Sequence, residues 1–490
     1  MTLMGDLFHP IHCSAALGAF AFAFYVIPYF LDPYDYRLRF PGPRLAGFTN
    51  WWLSNLVRTG NHSKVIQELH EQYGTFVRIG PNHISIADPD AHEVVYGHGS
   101  RLLKSDFYKM FANDSRNVFD TPDRAEHARK RKRLSHIFSP QNVLAFEPRV
   151  RGHIQQLCAQ WDVRCRKAVL GIPGINWHAK CGGAAIDICA QFSYLAFDIM
   201  GDLALGSPFG LIQAQQDSSP IIESVDASGE PQIGSMGIPV ARTIASFFHG
   251  ILLKRGSRKD IEAGKRSIDL IDKLVEVKNE DGSPLSLDEL YTEALLLLIA
   301  GSDTTSNTLS SLFYHLAIHP HIQRGLQAEL DQHISYDASD EGEGKEEDVV
   351  VPPPKAVVEY DQVKNLPYLN ACVKEALRIH STTFKPGSVI SVPSYTTNRS
   401  KVWGNDAEEF RPERWLGDNS RSLNKYFVPF SVGPRACVGR NLAYMDLMMI
   451  TATLVRRYQI EALPTTKLII HEAFVREAAH CELMIKQRMK

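Results

Sequence analysis

One stretch of this 490-residue chain sets reactive residue types at a spacing suited to metal chemistry. Phe430-Ser431-Val432-Gly433-Pro434-Arg435-Ala436-Cys437-Val438-Gly439 holds one cysteine between two glycines, and a helical pattern follows from Arg440 to about Tyr458. Cys437 is therefore expected at a helix N-terminus. Free backbone N–H groups and the positive end of the macrodipole gather there and favour a thiolate over a thiol. Gly433 and Gly439 permit turn geometry and close backbone approach. Arg435, just before the sulfur in sequence, is a permanent cation suited to a carboxylate. Two readings follow: a thiolate ligand under a flat, carboxylate-bearing cofactor, or a structural cysteine buried in a tight turn. The full spacing Phe-x-x-Gly-x-Arg-x-Cys-x-Gly favours the ligand.

Three further segments carry candidate chemistry. Leu285 to Pro320 predicts the longest helix, with Ser286 and Glu289 as a capping box and Pro320 as the stop. At ~1.5 Å per residue it would run on the order of 50 Å, across a whole domain. Within it lies Ala300-Gly301-Ser302-Asp303-Thr304-Thr305. Small residues open a groove in mid-helix, and hydroxyls that bond back to i−4 carbonyls loosen the ladder. A diatomic ligand fits beside Ala300 and Gly301, with Thr304 donating a hydrogen bond and Asp303 relaying protons. By itself such a run also suits a helix end or loop. Arg124 to Phe138 predicts a basic helix in which His127 and Arg131, at i and i+4, share a face. Leu366 to His380 predicts a helix bearing Glu375 and Arg378, and Phe410-Arg411-Pro412-Glu413-Arg414-Trp415 follows downstream. A buried carboxylate can accept from two guanidinium forks, so Glu375, Arg378 and Arg414 make a satisfiable cluster.

The elements that must position these residues are read more coarsely. A net charge of −2 and a pI near 6.8 give no sign of nucleic-acid binding. The cysteines are scattered without a CxxC pair, which leaves zinc and iron–sulfur sites little support and fits a reducing compartment. Ile11 to Leu31 is apolar, free of formal charge and long enough to span a bilayer; a cleaved signal peptide, which lacks its basic n-region here, and an interfacial hairpin broken at Pro28 are the alternatives. Arg37, Arg39 and Arg44 follow it and place the bulk of the chain on the cytosolic side. Phe40-Pro41-Gly42-Pro43-Arg44 is a stiff connector, and Phe76 to Ile86 around Gly80-Pro81-Asn82 predicts a hairpin. Tyr108 to Asp123 reads as a loop, Trp161 to Ala190 as broken by glycines and a proline, and Ser218 to Arg258 as weakly helical. Residues 337–355, acidic and then proline-rich, predict a disordered insertion.

Together these motifs resemble the cytochrome P-450 family over nearly all of Pro41 to Lys490. The resemblance implies a mainly α fold with small β-sheets, the cytochrome P-450 fold, as a single catalytic domain (35–490) after an N-terminal transmembrane anchor (1–34). It implies haem b (iron protoporphyrin IX) with Cys437 as the iron ligand, a thiolate that pushes electron density toward iron. Phe430, Gly433 and Gly439 would shape its loop. Arg435 and Arg131 would meet the haem carboxylates, with His127 where the family usually has Trp. Ala300 and Gly301 would form the oxygen groove, Asp303 and Thr304 the catalytic pair, and Glu375, Arg378 and Arg414 the ion triad. Arg129 to Arg151, Leu298 to Thr308 and Ser388 to Gly404 resemble the fungal benzoate para-hydroxylase branch. That implies a small aromatic acid as substrate, with Asn113, Ser115 and Arg116 as candidate contacts. It also implies O2, an NADPH-cytochrome P-450 reductase as electron donor, and an endoplasmic reticulum membrane with the catalytic domain in the cytosol.

One departure qualifies this. Relatives place two short strands between the Glu-x-x-Arg helix and the turn that Lys385-Pro386-Gly387-Ser388 resembles, but here only Ser381-Thr382-Thr383-Phe384 intervenes. A natural shortening and a mis-spliced gene are both open. Three readings besides the monooxygenase are carried: a membrane-bound haem-thiolate protein without turnover, a haem-thiolate isomerase or dehydratase, and Cys437 as a nucleophile. Asp303-Thr304 argues against the second, and the lack of a His/Asn context against the third.

Overall fold

The computed structural model describes residues 10–31, 39–105, 108, 115–216, 269–279, 281–334, 357–380, 389–417, 420–472 and 475–488. The expectations for Asn113, 218–258, 337–355 and 381–388 lie outside the described residues. The chain backbone is helical without a break from Pro10 to Leu31: α1 (Pro10–Ala21), a π-turn (Phe22–Val26) and a last turn (Ile27–Leu31). Pro28 therefore does not interrupt it, because the wider π-turn precedes a residue that has no N–H to give. Leu17, Phe20, Phe24 and Phe30 along this stretch are exposed.

Next come α2 (His62–Tyr73), hairpin β1 (Phe76–Gly80) and β2 (His83–Ile86), α3 (Ala91–Tyr96), basic α4 (Arg124–Ile137) and α5 (Glu147–Val169). The stretch that broke every period, Trp161 to Ala190, is the end of α5 followed by hairpin β3 (Trp177–Lys180) and β4 (Gly183–Asp187). Cys181 and Gly182, at φ 48° and 72°, are its two-residue turn. Helix α6 (Ile188–Leu205) is long and apolar enough to cross a membrane, but it lies buried in the core.

Short α7 (Leu270–Val275) leads to α8 (Leu287–Ile318), which ends where Pro320 opens α9 (Pro320–His333). Ser286 Oγ accepts the Glu289 N–H at 3.1 Å, half of the expected capping box. The Glu289 carboxylate turns instead to Lys130 (3.3 Å) and Arg133 (3.6 Å) of α4, since two cations outcompete one backbone N–H. Helix α10 (Pro367–Ile379) precedes β5 (Val389–Ser391), and α11 (Arg440–Arg457) runs into β6 (Tyr458–Ala462), β7 (Ile469–Glu472), β8 (Arg476–His480) and β9 (Glu482–Gln487).

Among the described residues the sheets are small: β5 parallel to β2 in the order β1-β2-β5, the set β3-β4-β9-β6, and the β7–β8 hairpin. The core lies between α5, α6, α8 and α11. Trp161 meets Tyr458 edge-on at 5.2 Å and Phe192 meets Phe313 at 4.8 Å. Each such ring stabilises the fold by about 1.5–3 kcal/mol through burial. That rigid block fixes α8 and the head of α11, the two elements that carry the candidate chemistry.

Candidate active site

The cysteine loop closes on itself before α11 begins. The Cys437 N–H donates to the Phe430 carbonyl at 2.8 Å, and the Phe430 ring packs on Tyr444 of α11 at 5.1 Å. Gly433 has φ 72°, and a Cβ there would collide with the Tyr96 carbonyl and the Gly97 backbone. Tyr96 is fixed in turn, because its phenol oxygen accepts the Val392 N–H at 3.0 Å just after β5. A Cβ on Gly439 would meet no atom within 4 Å, so the loop is open on that side. Cys437 itself is exposed. Burial raises its thiol pKa, while the N–H groups of Gly439 and Arg440 and the charges of Arg131 and Arg440 pull it down.

Arg131 reaches the residue next to the sulfur, and Arg435, Lys104 and His127 cluster electrostatically with it. Arg131 donates to the Ala436 carbonyl next to Cys437. Arg435 donates to the carbonyls of Thr121 (2.8 Å) and Pro122 (2.9 Å). Lys104 donates to the Phe119 carbonyl and lies 3.9 Å from the centroids of both Tyr108 and Phe119. Burial and the neighbouring Arg435 bring Lys104 down to about 7, with Asp120 opposing. Buried His127 is lowered to about 4 by burial and by Arg435, Lys104 and Arg131, so it is neutral at physiological pH. Among the described residues Lys104, Arg131 and Arg435 bond only to backbone carbonyls. These half-buried cations end on carbonyls with the nearby charges of Asp120 and Asp123 opposing them, and a dianionic cofactor edge would complete them. The residues present thus fit a carboxylate-bearing haem over an accessible sulfur. Sequence reasoning missed Lys104, because a lone lysine in a loop carries no spacing signal.

On α8, Ala300 is exposed in the middle of an otherwise largely buried helix. Thr304 Oγ1 donates to the Ala300 carbonyl at 2.8 Å, and Ser302 and Thr308 bond back one turn in the same way. Gly301 turns elsewhere: a Cβ on it would stand 2.6 Å from Met200 Sδ of α6, so its smallness serves helix packing. Asp303 is half-buried beside Thr304. Of the proposed substrate contacts, Arg116 is committed to its own loop, donating to the Asp120 carbonyl at 3.1 Å, and Ser115 is half-buried.

The structure brings Glu375, Arg378 and Arg414 together. Arg378 grips both Glu375 oxygens (2.8 and 3.0 Å), and Arg414 Nε donates to Oε1 at 2.7 Å. The Arg411 N–H (3.0 Å) and Trp415 Nε1 (2.9 Å) also donate to this carboxylate. The remaining guanidinium N–H groups reach the carbonyls of Asn398, Ala407, Trp403 and Asp406, which pins the segment leading to the cysteine loop.

Comparison with known proteins agrees with this geometry. A family model described as Cytochrome P450 matches residues 41–229, 240–384 and 381–481, so two of its pieces meet and overlap at the shortened connection. The chain is 37% identical to a benzoate 4-monooxygenase of Aspergillus niger over 530 aligned positions, covering 96% of this chain and 97% of that enzyme. It is 26% identical to a pisatin demethylase of Fusarium vanettenii, over 86% of this chain and 85% of that enzyme. A crystal structure of a cytochrome P450 matches with a TM-score of 0.72 at 20% identity, covering 92% of this chain and 99% of the other, which shows the fold. With its thiol-bearing loop, its ion triad and these relatives, the chain belongs to the cytochrome P450 family of haem-iron monooxygenases.

Proposed function

We propose that the protein inserts one atom of O2 into benzoate or a close relative, opposite the carboxylate on the ring, with electrons from NADPH through a separate reductase. The observation that carries the haem-thiolate site is the exposed Cys437 at the head of α11, with Arg131 on the adjoining carbonyl and Lys104 and Arg435 clustered with it, all three bonded to backbone carbonyls among the described residues. The benzoate assignment is supported by the Aspergillus niger relative. Haem b bound through Cys437 supplies the O2 activation. Arg131, Arg435 and neutral His127 would hold its carboxylates, while Phe430, Gly433 and Gly439 would keep the loop thin enough for the cofactor to approach. Thr304 Oγ1 keeps its proton on the Ala300 carbonyl until a better acceptor arrives, and Asp303 relays protons to it from solvent. The apolar helix from Pro10 to Leu31, about 33 Å long at 1.5 Å per residue, anchors the chain in the endoplasmic reticulum membrane with residues 35–490 in the cytosol.

The reduced protein with carbon monoxide is expected to show the red-shifted Soret band of thiolate-ligated haem, and Cys437→Ser to abolish it. Benzoate should shift the spin state and, with a reductase, yield the 4-hydroxy acid; neither occurring rejects the substrate. Thr304→Ala should consume NADPH with several-fold less product, and unchanged coupling rejects its role.

A second reading, a haem-thiolate protein without turnover, is favoured by the family match splitting into two pieces that overlap at residues 381–384. The 530 aligned positions exceed the chain's own length, so gaps fall on this chain. Inserting the Aspergillus niger segment after His380 separates the readings: restored product identifies the short connection as the defect, and a native enzyme with full turnover rules it out.

A further inference from the structure

Residues 117–121 form a compact knot that is tied to the rest of the fold on two sides. Within it, Asn117 Oδ1 accepts the N–H groups of Phe119 (2.9 Å) and Asp120 (3.1 Å). Asp120 Oδ1 accepts the Asn117 N–H (2.8 Å), and Thr121 Oγ1 donates to the Asn117 carbonyl (2.6 Å). One side offers carbonyls to the cations beside Cys437: Phe119 to Lys104, and Thr121 with adjoining Pro122 to Arg435. The other side is held from below. Glu293 of α8, only 5% exposed, accepts the Val118 N–H at 2.9 Å, and buried Lys130 donates to the Arg116 carbonyl at 2.6 Å.

Glu293 is an expensive residue to place there. Its Oε2 is buried without a partner, as is Oδ2 of neighbouring Asp120. Burial, with Lys130 opposing, raises Glu293 to about 7. The cavity that Glu293 and Lys130 line is about 10 Å³, room for a single water. A carboxylate sited at such cost, with one oxygen on a loop N–H, indicates that the loop needs that acceptor.

We infer that Glu293 is a positioning residue for the cofactor: through Val118 it sets the loop whose carbonyls aim Lys104 and Arg435 at the haem carboxylates. This rests on the haem reading above. The test follows haem transfer from the purified full-length holoprotein to excess apomyoglobin, together with hydrogen exchange of the Val118 amide. Glu293→Leu, which removes the acceptor, should expose the Val118 amide and speed haem loss about tenfold, the scale of a lost charge-assisted hydrogen bond. Glu293→Asp keeps the charge but withdraws the oxygen and should lose haem at an intermediate rate. Glu293→Gln keeps an acceptor oxygen and should retain haem within about twofold of the native rate.

A Gln variant as leaky as the Leu variant overturns the inference, and so does a Val118 amide indifferent to position 293. An exposed Val118 amide with unchanged haem loss also overturns it. Should the Leu variant fail to accumulate, the Asp and Gln variants decide by the same measurements. A native chain that carries no haem rejects the cofactor reading and this inference with it, whereas normal haem with an indifferent amide rejects this inference alone.

Discussion

Two clusters of charge in this molecule, one buried and one half-buried, are finished to different degrees. Around Glu375, each carboxylate oxygen accepts from a guanidinium and from a further N–H, and the residual donors of Arg378 and Arg414 end on carbonyls. Around Cys437, Lys104, Arg131 and Arg435 find only carbonyls, and the nearby Asp120 is itself pushed up to about 6 by burial. The first cluster is complete in protein alone. On the proposed haem reading the second is a receptor, whose positive charge would be balanced once an anionic edge arrives. Burial cost therefore separates a structural lock from a binding site even where both are built from arginines.

The sharpest way to break this contrast is to remove one partner from each cluster. Glu375→Ala strands two buried guanidiniums and should cost about 3–5 kcal/mol, read as a collapse in the denaturation midpoint with or without haem. Arg435→Met should behave oppositely in the two states. With haem bound it should weaken cofactor retention by about 1–2 kcal/mol, whereas in the haem-free chain the denaturation midpoint should hold or rise. A haem-free Arg435→Met chain as crippled as Glu375→Ala would erase the distinction between lock and receptor.

The smallest expected effect is a pH slope. Burial raises Glu293 to about 7 and Asp120 to about 6, both above their ordinary values. Folded-state values above unfolded ones mean that the folded chain binds these protons more tightly. The stability so conferred is full at pH values below the ordinary carboxylate range and is lost as pH rises through 6 and 7. Denaturation should show a falling midpoint across that window, by at most about 1.4 kcal/mol per pH unit for each proton. Glu293→Gln should flatten the slope, and an unchanged slope would show that another group titrates there.

How far the sequence could be read follows from how local each feature is. The cysteine loop and the Glu375–Arg378 pair are short-range patterns, and Arg414 lies in a distinctive run with Pro412 and Trp415, so all were legible. The turn at Cys181-Gly182 was visible only as a break, because β4 is completed by β9 from the far end of the chain. The packing partner of Gly301 was hidden for a related reason. A small residue in a helix signals a close approach but not which neighbour approaches, and here Met200 does. Lys104 and Glu293 owe their importance wholly to burial against distant partners, which no spacing rule records.

Tyr96 gives the short connection after His380 a second meaning. Its phenol oxygen receives the first N–H after β5, and its carbonyl is the wall that excludes a side chain from Gly433. One residue thus spans the exit of the shortened segment and the support of the Cys437 loop. On the haem-thiolate reading, lengthening that segment would shift the Val392 end of this chain of contacts and, through Tyr96, the loop that carries Cys437. The iron–sulfur stretching frequency, measured beside turnover in the insertion variant, would report that mechanical coupling directly.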